Sequence, residues 1–401
     1  MTPNAEIPGF DIKKLESLRK AIRSESLDGW LFCNFRHRDK LSDEILNIPG
    51  ASNSRYWFYA VPAEGEPLKI IHSVEPNSLD TLPGKQIFYV SRDDLKKALQ
   101  PLAGKTWGVH SSEELPAISY LDAGTAASLK NAGLRLVSAG ALIQRVYGLL
   151  DSAGIASHEK AAVHLYQIVE AAWEQVTKSF RDGKAIYEGD IRQFMSAEME
   201  KRGVISEGDL IVAAGPNTGN PHYNFTGRGA AFKNSDVIQF DLWAKEKHRD
   251  AIFADISWAG VYSATVPEEA AKRFAALTGA REAAIRFIQD ELSKGRSPKG
   301  AEVDIKAREV IISSGYGEGL KHRTGHGIDR EIHGSGVNMD SVEFPDSRLI
   351  LDGSCFSIEP GVYFGDFGMR TEIDVYVCNG KAHVSGGLYK RQYNLLHCGQ
   401  H

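Results

Sequence analysis

Four carboxylates set among apolar residues are the side chains of this 401-residue sequence whose types and spacing could do chemistry together. Asp241 lies in QFDLW, Asp255 in FADIS, Glu359 in SIEPG and Glu372 in RTEID. SDVIQFDLWA and AIFADISWAGVY read as strands, rich in Ile, Val, Phe and Trp, and the polar KEKHRD between them reads as a turn. A hairpin closing there has its centre near residue 248, equidistant from Asp241 and Asp255. It would set the two acids opposite each other on one face. The same arithmetic applies where SCFSIEPGVYF and MRTEIDVYV flank the turn GDFG. The midpoint of Glu359 and Glu372 falls between Gly365 and Asp366. Directly opposed residues have Cβ atoms about 4.5–5.5 Å apart. Like charges at that distance repel, and more so where water is excluded. A divalent cation would reverse the sign of the interaction for all four acids.

RTGHGIDREIHG, residues 323–334, adds His326 and His333. An oxygen-only set suits Mg or Ca, and a neutral imidazole moves the preference toward Mn, Zn, Co or Fe. His326, between two glycines, is the candidate nitrogen ligand, because glycine lets backbone approach closely. A single acid in a strand is ordinarily a solvated side chain, and a GHG tripeptide alone says little. The repeated hairpin symmetry gives these residues their weight.

The elements that must position them follow from composition and periodicity. The chain is 42% hydrophobic and 25% charged, an ordinary globular balance, and its length suits two domains better than one. A net charge of -5 with mixed signs gives no reason to expect nucleic acid or a membrane surface as partner. No run approaches the roughly 20 apolar residues that span a bilayer. The N-terminal stretch lacks the pattern of a secretory signal, and Cys33, Cys355, Cys378 and Cys398 are scattered. A cytoplasmic protein with free thiols is expected. Helices are expected over 12–28, 93–100 and 121–132, with strands in GWLFCNF, RYWFYAVP, PLKIIHSV and KQIFYVS. These make a small α/β domain ending near residue 150. A helix over 157–180, N-capped by Ser157, opens a second domain, with further helices over 186–202, 267–292 and 301–313.

The order Asp241, Asp255, His326, Glu359, Glu372, with GHGI, SIEPGVY and GMRTEID around it, resembles the metal site of the pita-bread metallopeptidases. That family includes methionine aminopeptidase, aminopeptidase P, prolidase and the non-peptidase creatinase. The likeness covers about residues 155–401. It implies an α/β N-terminal creatinase-like domain, residues 1–152, followed by an α+β pita-bread catalytic domain, residues 153–401. Methionine aminopeptidases usually lack the first of these.

By the same resemblance, two divalent metal ions are implied, Mn in the first place and Co or Zn as alternatives. Asp241 would bind the first metal, Asp255 and Glu372 would bridge, and His326 and Glu359 would hold the second. Glu359 would also act as base and proton shuttle. GPNTGNPHYN resembles the family segment whose histidine lies near the leaving nitrogen, which points to His222. His333 would contact substrate or the tetrahedral intermediate, and Arg370 matches an active-site arginine. Arg36, His37 and Arg38 in CNFRHRDK form a basic cluster suited to a dipeptide carboxylate.

Three departures stand out. The two aspartates are further apart than the family commonly has them. Ile252 and Trp258 stand where prolidases and aminopeptidases P often carry a tyrosine and an arginine. Gly334 follows His333 where an acid is usual. The implied activity is hydrolysis of the Xaa-Pro bond of dipeptides by a homodimer, its partner a small peptide substrate. Aminopeptidase P chemistry on longer peptides comes second and creatinase-like C–N hydrolysis third. An inactive binding module on the same fold is the reading from a different class.

Overall fold

The structure, a computed structural model, describes residues 10–48, 53–387 and, as backbone, 396–397. The chain divides into two compact units, Met1–Tyr147 and Gly148–His401.

The first unit contains α1 (Ile12–Ser24), β1 (Gly29–Asn34), α2 (Lys40–Leu46), β2 (Trp57–Pro62), β3 (Leu68–His72) and β4 (Lys85–Tyr89). It continues with α3 (Arg92–Leu99), β5 (Thr106–Val109), α4 (Ala123–Asn131), β6 (Arg135–Ser138) and α5 (Gly140–Ile143). Its six strands form one mixed sheet in the order β4-β3-β2-β1-β5-β6. β1 reads as a continuous apolar run because both faces of the sheet are covered. Trp30 and Phe32 point into one core with Leu18, Ile22 and Ile143, while Leu31 points into the other with Phe58, Trp107 and Leu129. Gly29 is required by this packing, since a Cβ there would sit 2.2 Å from the Trp107 ring. The expected helices and strands of this unit are present, with α1 ending at Ser24, four residues before the expected boundary of 28.

The second unit begins with α6 (Ser152–Arg181) and α7 (Glu188–Arg202), followed by β7 (Val204–Ile205), β8 (Ile211–Ala214), β9 (Val237–Glu246) and β10 (Ala254–Val261). Next come α8 (Glu268–Ser293), α9 (Gly300–Ser313), β11 (Cys355–Ile358), β12 (Gly361–Tyr363), β13 (Gly368–Arg370), β14 (Ile373–Cys378), β15 (Lys381–Val384) and β16 (Leu396–His397). Ser157 is not the cap of α6. Asp151 caps it, accepting from Gly154 N at 2.8 Å, and Ser157 lies inside, accepting from Ile252 N at 3.2 Å.

β9 and β10 alternate, and each face of their ribbon meets a different core. Ile238, Phe240, Leu242, Ile256 and Trp258 pack with Leu165, Val169 and Val176 of α6. Val237, Ala259 and Val261 face a second core with Leu277, Ile285 and Ile311 of α8 and α9 and with Phe356, Ile358 and Ile373. Asp241, Asp255 and Ser257 share the parity of this second face. The β9–β10 ribbon therefore presents its acids toward the breaks between β11 and β12 and between β13 and β14, where Glu359 and Glu372 lie. No helix among the described residues is long and apolar enough to cross a membrane.

Candidate metal centre

The first hairpin is real, but its register differs from the symmetric expectation. Asp241 pairs with Ser257 and Asp255 with Trp243, so the two acids are diagonal neighbours rather than directly opposed. β9 runs on through Glu246, into the segment expected to turn, and the loop that follows is asymmetric. The shift is two residues, which keeps both acids on the same face.

The second hairpin holds its expected register. Ile358 pairs with Ile373 on one side and Gly361 with Arg370 on the other, so one register runs past Glu359 and Glu372. The ladder itself breaks there. Glu359 N donates to Thr324 O at 2.7 Å, while Glu372 exchanges backbone hydrogen bonds with Ser257 at 3.1 and 3.4 Å. The two hairpins are thus joined at Ser257.

That serine was not anticipated from the sequence, and it is the hub of the site. Its Oγ lies 2.7 Å from Asp241 Oδ1 and 2.8 Å from Glu372 Oε2, and it accepts from Arg370 Nε at 2.9 Å. Arg370 also pairs with the Asp241 carboxylate and donates to Tyr363 Oη at 3.0 Å. Its Nε is 3.9 Å from both Glu359 and Glu372. Tyr363 is bridged in turn to His322 Nε2 at 2.8 Å. Behind Asp255, the buried Asp374 accepts from the Asp255 amide at 2.7 Å. Ser257 and Asp374 were legible in hindsight, each two residues from an anticipated ligand and so on its face. Tyr363 lies in the quoted SIEPGVY and His322 just before RTGHGIDREIHG, and neither carries a spacing signal.

His326 stands where the hairpins converge, its Nε2 3.6 Å from both Asp255 Oδ2 and Glu359 Oε1. Donor atoms of Asp255, His326 and Glu372 all fall within 4.8 Å of one another. The glycines beside His326 serve close approach. A Cβ on Gly325 would lie 2.0 Å from Ser357 O, and one on Gly327 2.7 Å from the Gly336 carbonyl carbon.

The electrostatics of this cluster ask for a cation. Burial, then the neighbouring Asp241 and Glu359 charges, pushes the Asp255 carboxyl well above its usual range. Burial, then Asp255 and Glu359, does the same to Glu372. Burial holds the His326 imidazole neutral by lowering its pKa. Asp255 Oδ1 and Glu372 Oε1 are buried with no hydrogen-bond partner. Two orphaned carboxylate oxygens beside a neutral imidazole fit a divalent metal, which would satisfy all three.

Of the other anticipated residues, His333 packs edge-on against His326 with ring centroids 4.4 Å apart. The nearby His326 and then burial lower its pKa to about 4. His222 is exposed, and burial, then the Arg370 charge, lowers the His322 pKa to about 4. Arg36 and His37 belong to the first unit, on two consecutive left-handed backbone positions with φ of 57° and 52°. His37 Nδ1 lies 2.9 Å from Asp43. Ile252 is buried with Leu150, Phe253 and Ile328, and Trp258 packs edge-on against Tyr166 at 5.9 Å.

Residues 160–379 match the metallopeptidase family M24. The chain belongs to that family. It is 31% identical over 174 residues to the Xaa-Pro dipeptidase of Lactobacillus helveticus, covering 43% of each chain. It is 29% identical over 256 residues to the putative dipeptidase YkvY of Bacillus subtilis, covering 63% of this chain and 64% of that one. The matched segments therefore span less than two thirds of these relatives. The crystal structure of dipeptidase PepE from Mycobacterium ulcerans superposes with a TM-score of 0.69 at 21% identity, covering 96% of this chain and 97% of the other. The fold of this M24 member is an α/β N-terminal unit followed by an α+β pita-bread unit.

Proposed function

We propose that this M24 member is a metal-dependent Xaa-Pro dipeptidase, with residues 1–152 as its creatinase-like domain and residues 153–401 as its catalytic domain. The pair of orphaned oxygens on Asp255 and Glu372, set beside His326, carries the reading. The metal ligands in this reading are Asp241, Asp255, His326, Glu359 and Glu372, holding two divalent ions, Mn before Co or Zn. The dipeptidase name of the Lactobacillus relative supports a small peptide as substrate. A cytoplasmic homodimer completes the reading.

Divalent cations held there supply an acidified water and positive charge for the developing oxyanion. Glu359 acts as base in this scheme. Its side chain is 13% exposed, against 2% for Glu372 and 7% for Asp255, so among these carboxylates it is the one best able to reach an incoming water. Ser357 Oγ, 3.3 Å from Glu359 Oε1, steadies it. His333 is neutral near pH 7 and offers one N–H to the oxyanion. His222, exposed near neutral histidines, would protonate the leaving amine. Arg370, the arginine matched to the family's active site and proposed here to bind substrate, is engaged by Asp241, Ser257 and Tyr363, and in this scheme it also holds Asp241 in place. Arg36 and His37 would read the dipeptide carboxylate.

Hydrolysis of Ala-Pro, Ala-Pro-Ala and creatine by chelated protein reloaded with Mn tests the reading. Ala-Pro should be the preferred substrate. Turnover of the tripeptide alone would assign an aminopeptidase P, and turnover of neither peptide would overturn the reading.

A further inference from the structure

Gly334 stands where an acid was expected, and the structure leaves no room for a side chain there. A Cβ would meet Asp329 Cγ at 2.7 Å and Asp329 N and Oδ2 at 2.8 Å. The space is already filled by a carboxylate. Asp329 is fully buried, and both its oxygens are committed. Oδ1 accepts from Glu331 N at 2.9 Å. Oδ2 accepts from Ser335 N and from Ser335 Oγ, each at 2.8 Å. Glu331 and Ser335 lie two residues to either side of His333, so one carboxylate grips both flanks of that histidine. The Gly334 amide donates to Gly327 O at 2.7 Å, tying the same loop to the residue after His326. Asp329 itself is anchored by Phe253 N, which donates to its carbonyl at 3.0 Å.

We propose that Asp329 is a positioning residue that sets His333 against His326, and that Gly334 is glycine because the Asp329 carboxylate and backbone nitrogen occupy the adjoining space. The proposal rests on the reading above, in which His333 faces the substrate. A loop closed around a buried carboxylate has little freedom, and a donor aimed at a transition state loses its value steeply when displaced. The acid that departs from position 334 is thus answered by an acid five residues earlier in the chain, reaching the same loop from inside.

The test uses the full-length protein loaded with Mn and a cycle of Asp329→Asn, His333→Ala and the double variant. Asp329→Asn keeps the shape, but its single acceptor oxygen cannot serve both Glu331 N and the Ser335 pair. It should lower kcat for Ala-Pro by about tenfold or more with little change in KM. In the His333→Ala background the same substitution should change kcat less than twofold. Equal losses with and without His333, or no loss at all, would overturn the proposal, because a merely structural role acts independently of that ring. Should Asp329→Asn fail to fold, Ser335→Ala removes only one of the three bonds and should show a smaller loss with the same dependence on His333. Gly334→Ala should lower the melting temperature in the native background and by less in Asp329→Gly, where only the backbone nitrogen of residue 329 still obstructs the added Cβ. Absence of Ala-Pro hydrolysis by the unaltered protein would instead refute the dipeptidase reading. The His333 ring signal in NMR at fixed pH then decides: a shift in Asp329→Asn supports the proposal, and an unmoved signal overturns it.

Discussion

Asp255 and Glu372 each bury one oxygen that nothing in the described protein satisfies. A buried unsatisfied acceptor costs about 1–3 kcal/mol, more when charged. The Glu372 pKa is raised above 4.5 in the folded state, so between 4.5 and that raised value the native protein binds more protons than the unfolded chain. Stability of the metal-free protein contributed by this group falls as pH rises through that window. Metal-free Glu372→Gln should therefore melt at a higher temperature than metal-free native protein at pH 7, and calorimetry should find the gap closing as pH falls toward 4.5. With Mn added the order should reverse. Glu359→Gln belongs to the same scale but acts on chemistry. Loss of a positioned base should lower kcat by about 10²–10⁴-fold, with circular dichroism unchanged. Full turnover by this variant would remove Glu359 from the base role.

At the scale of elements, the face on which each acid lies was legible in the sequence and the exact pairing was not. Alternation fixes the face, because side chains on a strand repeat every two residues. Where the turn closes is a weaker signal, and β9 ran two residues into what looked like its turn. The turn signal GDFG placed the second hairpin correctly, although its last glycine, Gly368, already belongs to β13 and pairs with Tyr363. The joint between hairpins at Ser257 was invisible, since a contact between segments 115 residues apart leaves no local period. The start of α6 was misplaced for a related reason. Its first turn, SAGIA, has no amphipathic stripe, and its cap at Asp151 lies outside the periodic part. The glycines around His326 were read as close-approach residues, and the contacts agree. Gly325→Ala should destabilise by about 3 kcal/mol or more, because the obstructing atom is backbone and cannot turn aside. Gly279, inside α8 with only Val310 Cγ1 at 3.4 Å, is the control. Gly279→Ala should be neutral or stabilising by about 0.5–1 kcal/mol. Denaturant midpoints of the two variants separate steric from conformational effects.

At the scale of the molecule, the second unit packs two cores on opposite faces of the β9–β10 ribbon, and the acids lie at the edge of the one shared with α8 and α9. A ligand that satisfies the cluster should stabilise this whole unit. At a hundred times its dissociation constant, a metal adds about 2.7 kcal/mol. Chelation should lower the melting transition, and Mn or Co should restore it together with activity. A transition indifferent to thorough metal removal would contradict the assignment of the cluster. The same ribbon sets a timetable. Ser257 meets Glu372 across 115 residues, and the Asp255 amide meets Asp374 across 119. Contacts this distant in sequence close late, after local helices and hairpins have formed. On the ribosome, β9 and β10 emerge with one face unsealed long before β14, and their edge waits further still for β16, which pairs with Gly260 and Val261. A bound metal would therefore report that the second unit has finished folding, which makes metal uptake a natural clock for its maturation.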